Sequence, residues 1–483
     1  MISGWLPIPG WNSPALRRPH CVTLGNDDIS QSIIRPPTRA GKEAGMKWLA
    51  TLLVAAALVP ASARALTIEE ATTRALAANP RLQAAKLSAL AAAQRAQEAA
   101  GRRYGEVDLV GAYNHYDSNR SLVPISIDLF KNPSLGFYQL PWDRNQLHYG
   151  IAYQIPLLAG GQLHEGRLIA ELSQRASEDL ALYGADEVRY NVRAAFRNAL
   201  TLTHALTAVT AYERALENDA KDADLKVKVG TWASVDGAKI HFALESARAQ
   251  REAVQAGIDS LDALLAALMG EDLPPKGYTL ADAPEAPAPP AGTLRDNAEA
   301  ALGGRRDLAA VKVTVAIAER KKLLAKEAFG PMVSVGGNYM TNSAPGIPDR
   351  LNTHEFGLYL NLPLFKGLQR IHALHAADFD LQAAQRQQRA KELEVMAQVQ
   401  DALGRVQAAR AQLAAGKAQK ALGAEVARVE HLKLEQGTGK MEDYLAARVQ
   451  EMQGETGYWQ ALYALQSALD YLDFVSAQGG QHD

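Results

Sequence analysis

Three groups of side chains have types and spacings that could do chemistry. His372, His375 and Asp378 recur every third residue on a run of helix formers, a spacing that metal ions can use, although a solvated helix face is the preferred reading. Asp236 and the pair Glu442-Asp443 each follow a Gly-Thr dipeptide by a few residues. A carboxylate at such a helix start caps free N–H groups and meets the positive end of the dipole, worth about 1 kcal/mol. Leu129-Phe130 and Phe137-Tyr138-Gln139-Leu140-Pro141-Trp142 place aromatics in one loop, suited to a lipid interface or to ordinary loop packing. No phosphate loop, nucleophile elbow or His-Glu-x-x-His occurs, and the 11 histidines do not cluster. Cys21 is the single cysteine, which excludes a disulfide framework and Cys-rich metal sites. The expectation is therefore no enzyme, no cofactor and no metal centre. With 51 Lys plus Arg against 53 Asp plus Glu, no basic excess points to nucleic acid.

The elements that carry these residues are set first by proline. All 22 prolines fall outside 161–273 and 364–483. Proline breaks helix interiors, and both stretches are rich in Ala, Leu, Gln, Glu, Arg and Lys. Each is interrupted once. Gly230 ends one helix and Ser234 to Asp236 can cap the next; Gly437 and Gly439 end another and Glu442-Asp443 opens its successor. Each stretch thus reads as a helical hairpin whose long arm, Gly161 to Val229 in the first, spans roughly 100 Å at 1.5 Å per residue. Runs such as Ala194-Ala195-Phe196-Arg197-Asn198-Ala199-Leu200 put small apolar residues on a close-packing seam.

Between the helices the period changes from 3.6 to 2. Tyr149, Ile151, Tyr153 and Ile155 oppose His148, Gly150, Ala152 and Gln154. Phe356, Leu358, Leu360 and Leu362 oppose Glu355, Gly357, Tyr359 and Asn361, with Tyr359 the apolar exception. Alternation over about ten residues with aromatics near the ends is the pattern of a transmembrane β-strand, which makes these eight residues candidates to face lipid. Four strands per chain cannot close a barrel, and an open edge is forbidden in lipid. Three chains would supply a 12-stranded barrel. A strand pair capping a soluble helical stalk is the alternative.

The chain is also duplicated. Tyr149-Gly150-Ile151-Ala152-Tyr153-Gln154-Ile155-Pro156-Leu157 aligns with Phe356-Gly357-Leu358-Tyr359-Leu360-Asn361-Leu362-Pro363-Leu364 at an offset of 207. Gly230-Thr231 with Gly437-Thr438, and Asp236 with Asp443, keep that offset. Upstream, Val107, Leu109, Gly111 and Tyr113 align with Val333, Val335, Gly337 and Tyr339 at 226. The difference falls in a long loop, Asp117 to Asn145, against a short one, Thr341 to Asn352. The expected organisation is a first repeat at 66–272, a Pro-rich linker at 273–292 and a second repeat at 293–483.

The start of the chain reads separately. Met46-Lys47, an apolar core from Trp48 to Val59 and Ala63-Arg64-Ala65 form a secretory signal peptide over 46–65, too short for a membrane span. Residues 1–45 are Pro-rich and aperiodic, and are expected to be an untranslated extension. The remainder carries 44 basic and 50 acidic residues and no cysteine, and Leu66 after Ala65 offers no lipid anchor.

Leu66-Thr67-Ile68-Glu69-Glu70-Ala71, Asn79-Pro80-Arg81-Leu82 with Arg305-Arg306-Asp307-Leu308, the strand ends Ile155-Pro156-Leu157 and Leu362-Pro363-Leu364-Phe365, and the tips Val229-Gly230-Thr231 and Gln436-Gly437-Thr438 resemble those of TolC-like outer-membrane efflux proteins in order, spacing and duplication. The resemblance implies a mainly α chain with a small β part. Tandem-repeat long helical hairpins would form an α-barrel below a trimeric 12-stranded β-barrel in the outer membrane of a Gram-negative bacterium, with a large periplasmic portion. It implies a passive exit duct for tripartite efflux or type I secretion, a homotrimer docked on a periplasmic adaptor (membrane fusion protein) and an inner-membrane transporter. Gly230, Thr231, Gly437 and Thr438 would contact the adaptor. Asp443, with Glu442 beside it, would line the periplasmic aperture, while the family's second aperture acid falls on Ala446 and its latch aromatic and arginine on Leu434 and Gly439. A soluble periplasmic coiled-coil adaptor is the alternative function.

Overall fold

The computed structural model describes residues 65–125, 141–274, 277–282 and 293–477. Residues 1–45, expected to be untranslated, most of the expected signal peptide at 46–65, the aromatic-rich stretch before Pro141 and most of the Pro-rich segment 273–292 lie outside them. In chain order the elements are α1 (Ile68–Ala78), α2 (Pro80–Gly101), β1 (Glu106–Ser121), β2 (Trp142–Ala159), α3 (Gln162–Lys228) and α4 (Ser234–Met269). After the linker come α5 (Leu294–Gly304), α6 (Arg306–Glu327), β3 (Met332–Ala344), β4 (Ile347–Asn361), α7 (Gln369–Glu435) and α8 (Met441–Ser476).

The duplication is metrical. α1 and α5 have 11 residues each, α2 and α6 have 22, α3 and α7 have 67, and α4 and α8 have 36. At 1.5 Å per residue the long helices reach about 100 Å. The short helices take turns along them: α3 packs against α2 and α4, and also against α6 and α8, while α7 packs against α6 and α8. The result is a layer four helices wide whose outer members are α2 with α4 on one flank and α7 on the other.

Burial follows a coiled-coil seam. On α7 the buried set Val395, Val399, Ala402, Val406, Ala409 and Leu413 steps by four and three, which keeps one stripe against a partner helix. That stripe packs on Leu462, Leu465 and Leu472 of α8. Where backbones approach most closely a side chain would not fit: a Cβ on Gly454 would stand 2.9 Å from the Gln419 carbonyl oxygen. At the far end of the molecule Tyr212, Leu216, Ile240, Leu244, Met441 and Tyr444 form a core shared by α3, α4 and α8.

The four strands form one antiparallel sheet in the order β1-β2-β3-β4, so β2 and β3 join the repeats. β1 and β4 are its edges. The strands outrun the sequence expectation at their far ends. β1 continues to Ser121 and β2 starts at Trp142, and the loop expected from Thr341 to Asn352 is a two-residue turn at Pro345-Gly346. Asp and Asn disfavour strands on propensity alone, but here their side chains satisfy neighbouring backbone, as when Asp143 accepts from the Gly346 N–H at 2.9 Å. At the near end the correction runs the other way. β4 stops at Asn361, so Leu362, next to Pro363, lies outside the strand.

Candidate functional site: the two-faced sheet and the helical tips

Register assigns every strand residue to a face. Leu109, Ile151, Tyr339 and His354 share one row, and Val107, Tyr153, Gly337 and Phe356 the next. From the His354 row toward the helices this face is apolar apart from that histidine, and it is bare: Leu109 is 86% exposed, Phe356 74%, Leu360 69% and Leu358 67%. Exposure of this extent over a contiguous apolar sheet calls for a non-aqueous neighbour. Of the eight residues singled out from sequence, Tyr149, Ile151, Tyr153, Ile155, Phe356, Leu358 and Leu360 lie on this face, while Leu362 is exposed just past the end of β4.

The opposite face is polar. Its rows include Glu106–Gln154–Gly336–Gly357 and Asp108–Ala152–Asn338–Glu355. Tyr359, the exception to alternation, lies on this face against the two glycines: a Cβ on Gly357 would meet its ring at 3.1 Å and one on Gly336 at 3.3 Å. Its hydroxyl donates to Glu355 at 2.9 Å. Higher up, His148 Nδ1 and Asn342 Oδ1 are 2.7 Å apart.

The two tips share one backbone. Gly230 and Gly437 take φ of 78° and 72°, and the N–H groups of Thr231 and Thr438 return to the carbonyls of Lys226 and Lys433, both at 2.9 Å. Their surfaces differ. Around the first tip Leu225, Val229, Val235 and Phe242 are exposed, Phe242 at 77%. The matching positions of the second are Leu432, Gln436, Glu442 and Val449.

The acids at the tips fare differently from one another. Asp236 is no cap: the N-cap of α4 is Ala233, without a side-chain bond, and Asp236 is the third helical residue, 3.4 Å from the Lys239 ammonium. Lys239 also reaches Glu442 of the other repeat at 2.5 Å. That hydrogen bond holds the Glu442 carboxyl below the usual range and raises the Lys239 amine. Asp443, one residue on, is exposed and bonds to no described side chain. Gly439 is hemmed in, since a Cβ would stand 2.9 Å from the Leu434 backbone nitrogen, and Leu434 packs on the tip core. The family's latch residues have no counterparts at these two positions.

Residues 297–477, most of the second repeat, match the family described as outer membrane efflux protein. That family is the TolC-like one. Over those residues the chain is similar to that family. Solved structures share its fold. A membrane protein from Pseudomonas aeruginosa superposes with a TM-score of 0.70 at 19% identity, over 85% of this chain and 90% of that one. The outer membrane protein VceC from Vibrio cholerae gives 0.68 at 16% identity over 85% and 95%. The Campylobacter jejuni CmeC outer membrane channel gives 0.71 at 17% over 86% and 87%. A search of curated protein sequences finds no match. At 16–19% identity, this likeness to solved structures is one of fold. Of the histidine group singled out from sequence, Asp378 is engaged by Lys322 at 2.6 Å.

Sequence reasoning missed the polar ties between the repeats and within the second one. Arg197 of α3 bonds Asp470 of α8 through Nε at 2.5 Å and also donates to Gln466. Arg305 and Asp307 form a buried pair at 2.7 Å, joined by Lys391 at 3.1 Å. Burial would raise the Asp307 carboxyl, but the Arg305 and Lys391 bonds and charges hold it below its ordinary value. Asp282, in the described part of the linker, binds His204 at 2.9 Å and Tyr463 at 2.5 Å, and His204 stacks on Trp459. Charges inside otherwise apolar seams, such as Arg197 and Asp470, were the available signal.

Proposed function

We propose that three copies of this chain assemble into a duct through the outer membrane of a Gram-negative bacterium, with the sheets closing a 12-stranded β-barrel and the long helices lining a periplasmic tunnel. The carrying observation is the bare, uncharged apolar face that crosses all four strands while β1 and β4 keep unpaired edges. Lipid satisfies the face, and only further strands satisfy the edges. The two flanks of the helical layer, α2 with α4 and α7, meet the neighbouring copies in the same head-to-tail sense, which closes a ring.

In this reading 66–272 and 293–483 are the structural repeats, 273–292 links them outside the tunnel, and 46–65 is the export signal. Gly230-Thr231 and Gly437-Thr438, farthest from the sheet, are docking tips for a periplasmic adaptor, which joins the duct to an inner-membrane pump. The exposed Val229 and Phe242 beside the first tip favour such a contact. Asp443 is the unpaired acid of the aperture, with Glu442 held against Lys239 beside it. Transport is passive here and the energy comes from the partners.

The test is fractionation followed by native mass measurement and planar-bilayer recording. The expected result is a trimer in the outer-membrane fraction that needs detergent for release and conducts ions. A water-soluble monomer, or a protein released by salt alone, overturns the reading.

A further inference from the structure

We infer that the ion preference of the duct is set inside the β-sheet, by the carboxylates of Asp108 and Glu355, rather than chiefly at the helical tips. The inference rests on the channel reading above and adds to it the residues that select among permeating ions.

Asp108, Ala152, Asn338 and Glu355 occupy one register row from edge to edge of the sheet. With strands about 4.8 Å apart, the two carboxylates stand roughly 14 Å from each other within a chain. They sit on the two edge strands, so wherever β4 of one copy meets β1 of the next, an acid flanks the junction on each side. A trimer then carries two such acids per chain, with Glu106 one row nearer the helices.

The second observation is what the same face lacks. Among the described rows from Glu106 to Asn114, Gln146 to Gln154, Ser334 to Asn342 and Leu351 to Tyr359, this face holds no lysine or arginine, the nearest on β2 being Arg144 at its far end. The partners of Glu355 are neutral: the Tyr359 hydroxyl at 2.9 Å and the Asn338 amide at 3.3 Å orient its charge without cancelling it. Rings of carboxylates within low-dielectric walls concentrate cations and repel anions. The gap between the two acids exceeds the Debye length of roughly 8–10 Å in physiological salt, so each acts on a passing ion largely on its own. The tip is weaker by comparison. Glu442 is neutralised by Lys239 and position 446 is alanine, which leaves Asp443 as the single uncompensated acid of that helix start.

The experiment is single-channel recording of the purified full-chain trimer in a planar bilayer under a KCl gradient, comparing the unmodified chain with D108N/E355Q and with D443N. The expected result is a preference for potassium over chloride that falls about threefold or more in D108N/E355Q and changes less in D443N. Asp108→Cys in a Cys21→Ser background gives a second reading within one folded protein. An anionic methanethiosulfonate should restore the preference and a cationic one should reverse it. An unchanged preference in D108N/E355Q, or one abolished by D443N alone, overturns the inference. A trimer that carries no current at all fails the channel reading itself and the inference with it.

Discussion

The two repeats have the same skeleton and different surfaces. Helix lengths of 11, 22, 67 and 36 residues recur in order, and both tips turn through a left-handed glycine. Yet Val229, Val235 and Phe242 at the first tip face Gln436, Glu442 and Val449 at the second, and Lys239 corresponds to Ala446. The ties between repeats are likewise one-sided: position 404, which matches Arg197, is glycine. Duplication conserves what the backbone needs and leaves side chains free to specialise, one tip becoming apolar and the other acidic.

Breaking the one-sided tie should have the largest effect. Arg197→Ala leaves the Asp470 carboxylate, 8% exposed, without its main cation. The expected cost is about 3–5 kcal/mol, read as a lower unfolding midpoint of the trimer, and a loss below about 1 kcal/mol would remove Arg197 from this role.

Acid should then separate the repeats. Asp307 is held below its ordinary pKa of about 3.9 in the folded chain, so its contribution is present above that value and disappears as pH falls through the depressed one. The first repeat has Arg81 at the matching position, with Asn79 as the cap, and therefore no equivalent carboxylate. Hydrogen exchange at pH 3 compared with pH 6 should loosen α6 and the facing part of α7 more than α2, and Asp307→Asn should abolish the difference. Equal loosening of α2 and α6 would contradict it.

The smallest effect tests the likeness rather than the difference. Gly230→Ala and Gly437→Ala each force a side chain into the left-handed region with nothing nearby to clash. Both should cost about 1 kcal/mol, and equally. Unequal costs in thermal unfolding would show that the tips are not the same turn.

Much of this was legible beforehand for identifiable reasons. Absence of proline and the terminator glycines marked the long helices, because those signals are local. Tyr149 to Ile155 alternated because one face is apolar from end to end. The outer halves of the strands were not legible, since Asp143 and Asn145 become compatible with a sheet only through partners such as the Gly346 N–H, 203 residues away. Tyr359 broke the pattern until Gly336 and Gly357 were found beneath its ring.

Taken alone, the amino-acid order determined the twofold plan, the helix stops and the alternation of the strands, all of which depend on residues within a few positions of one another. The tertiary structure decided that β2 pairs with β3, that Asp108 and Glu355 share a row, that Lys239 claims Glu442 and leaves Asp443 free, and that Arg197 spans the repeats. Those outcomes join residues about 170 to 270 positions apart, and no local propensity encodes a contact whose energy exists only once the two segments have met.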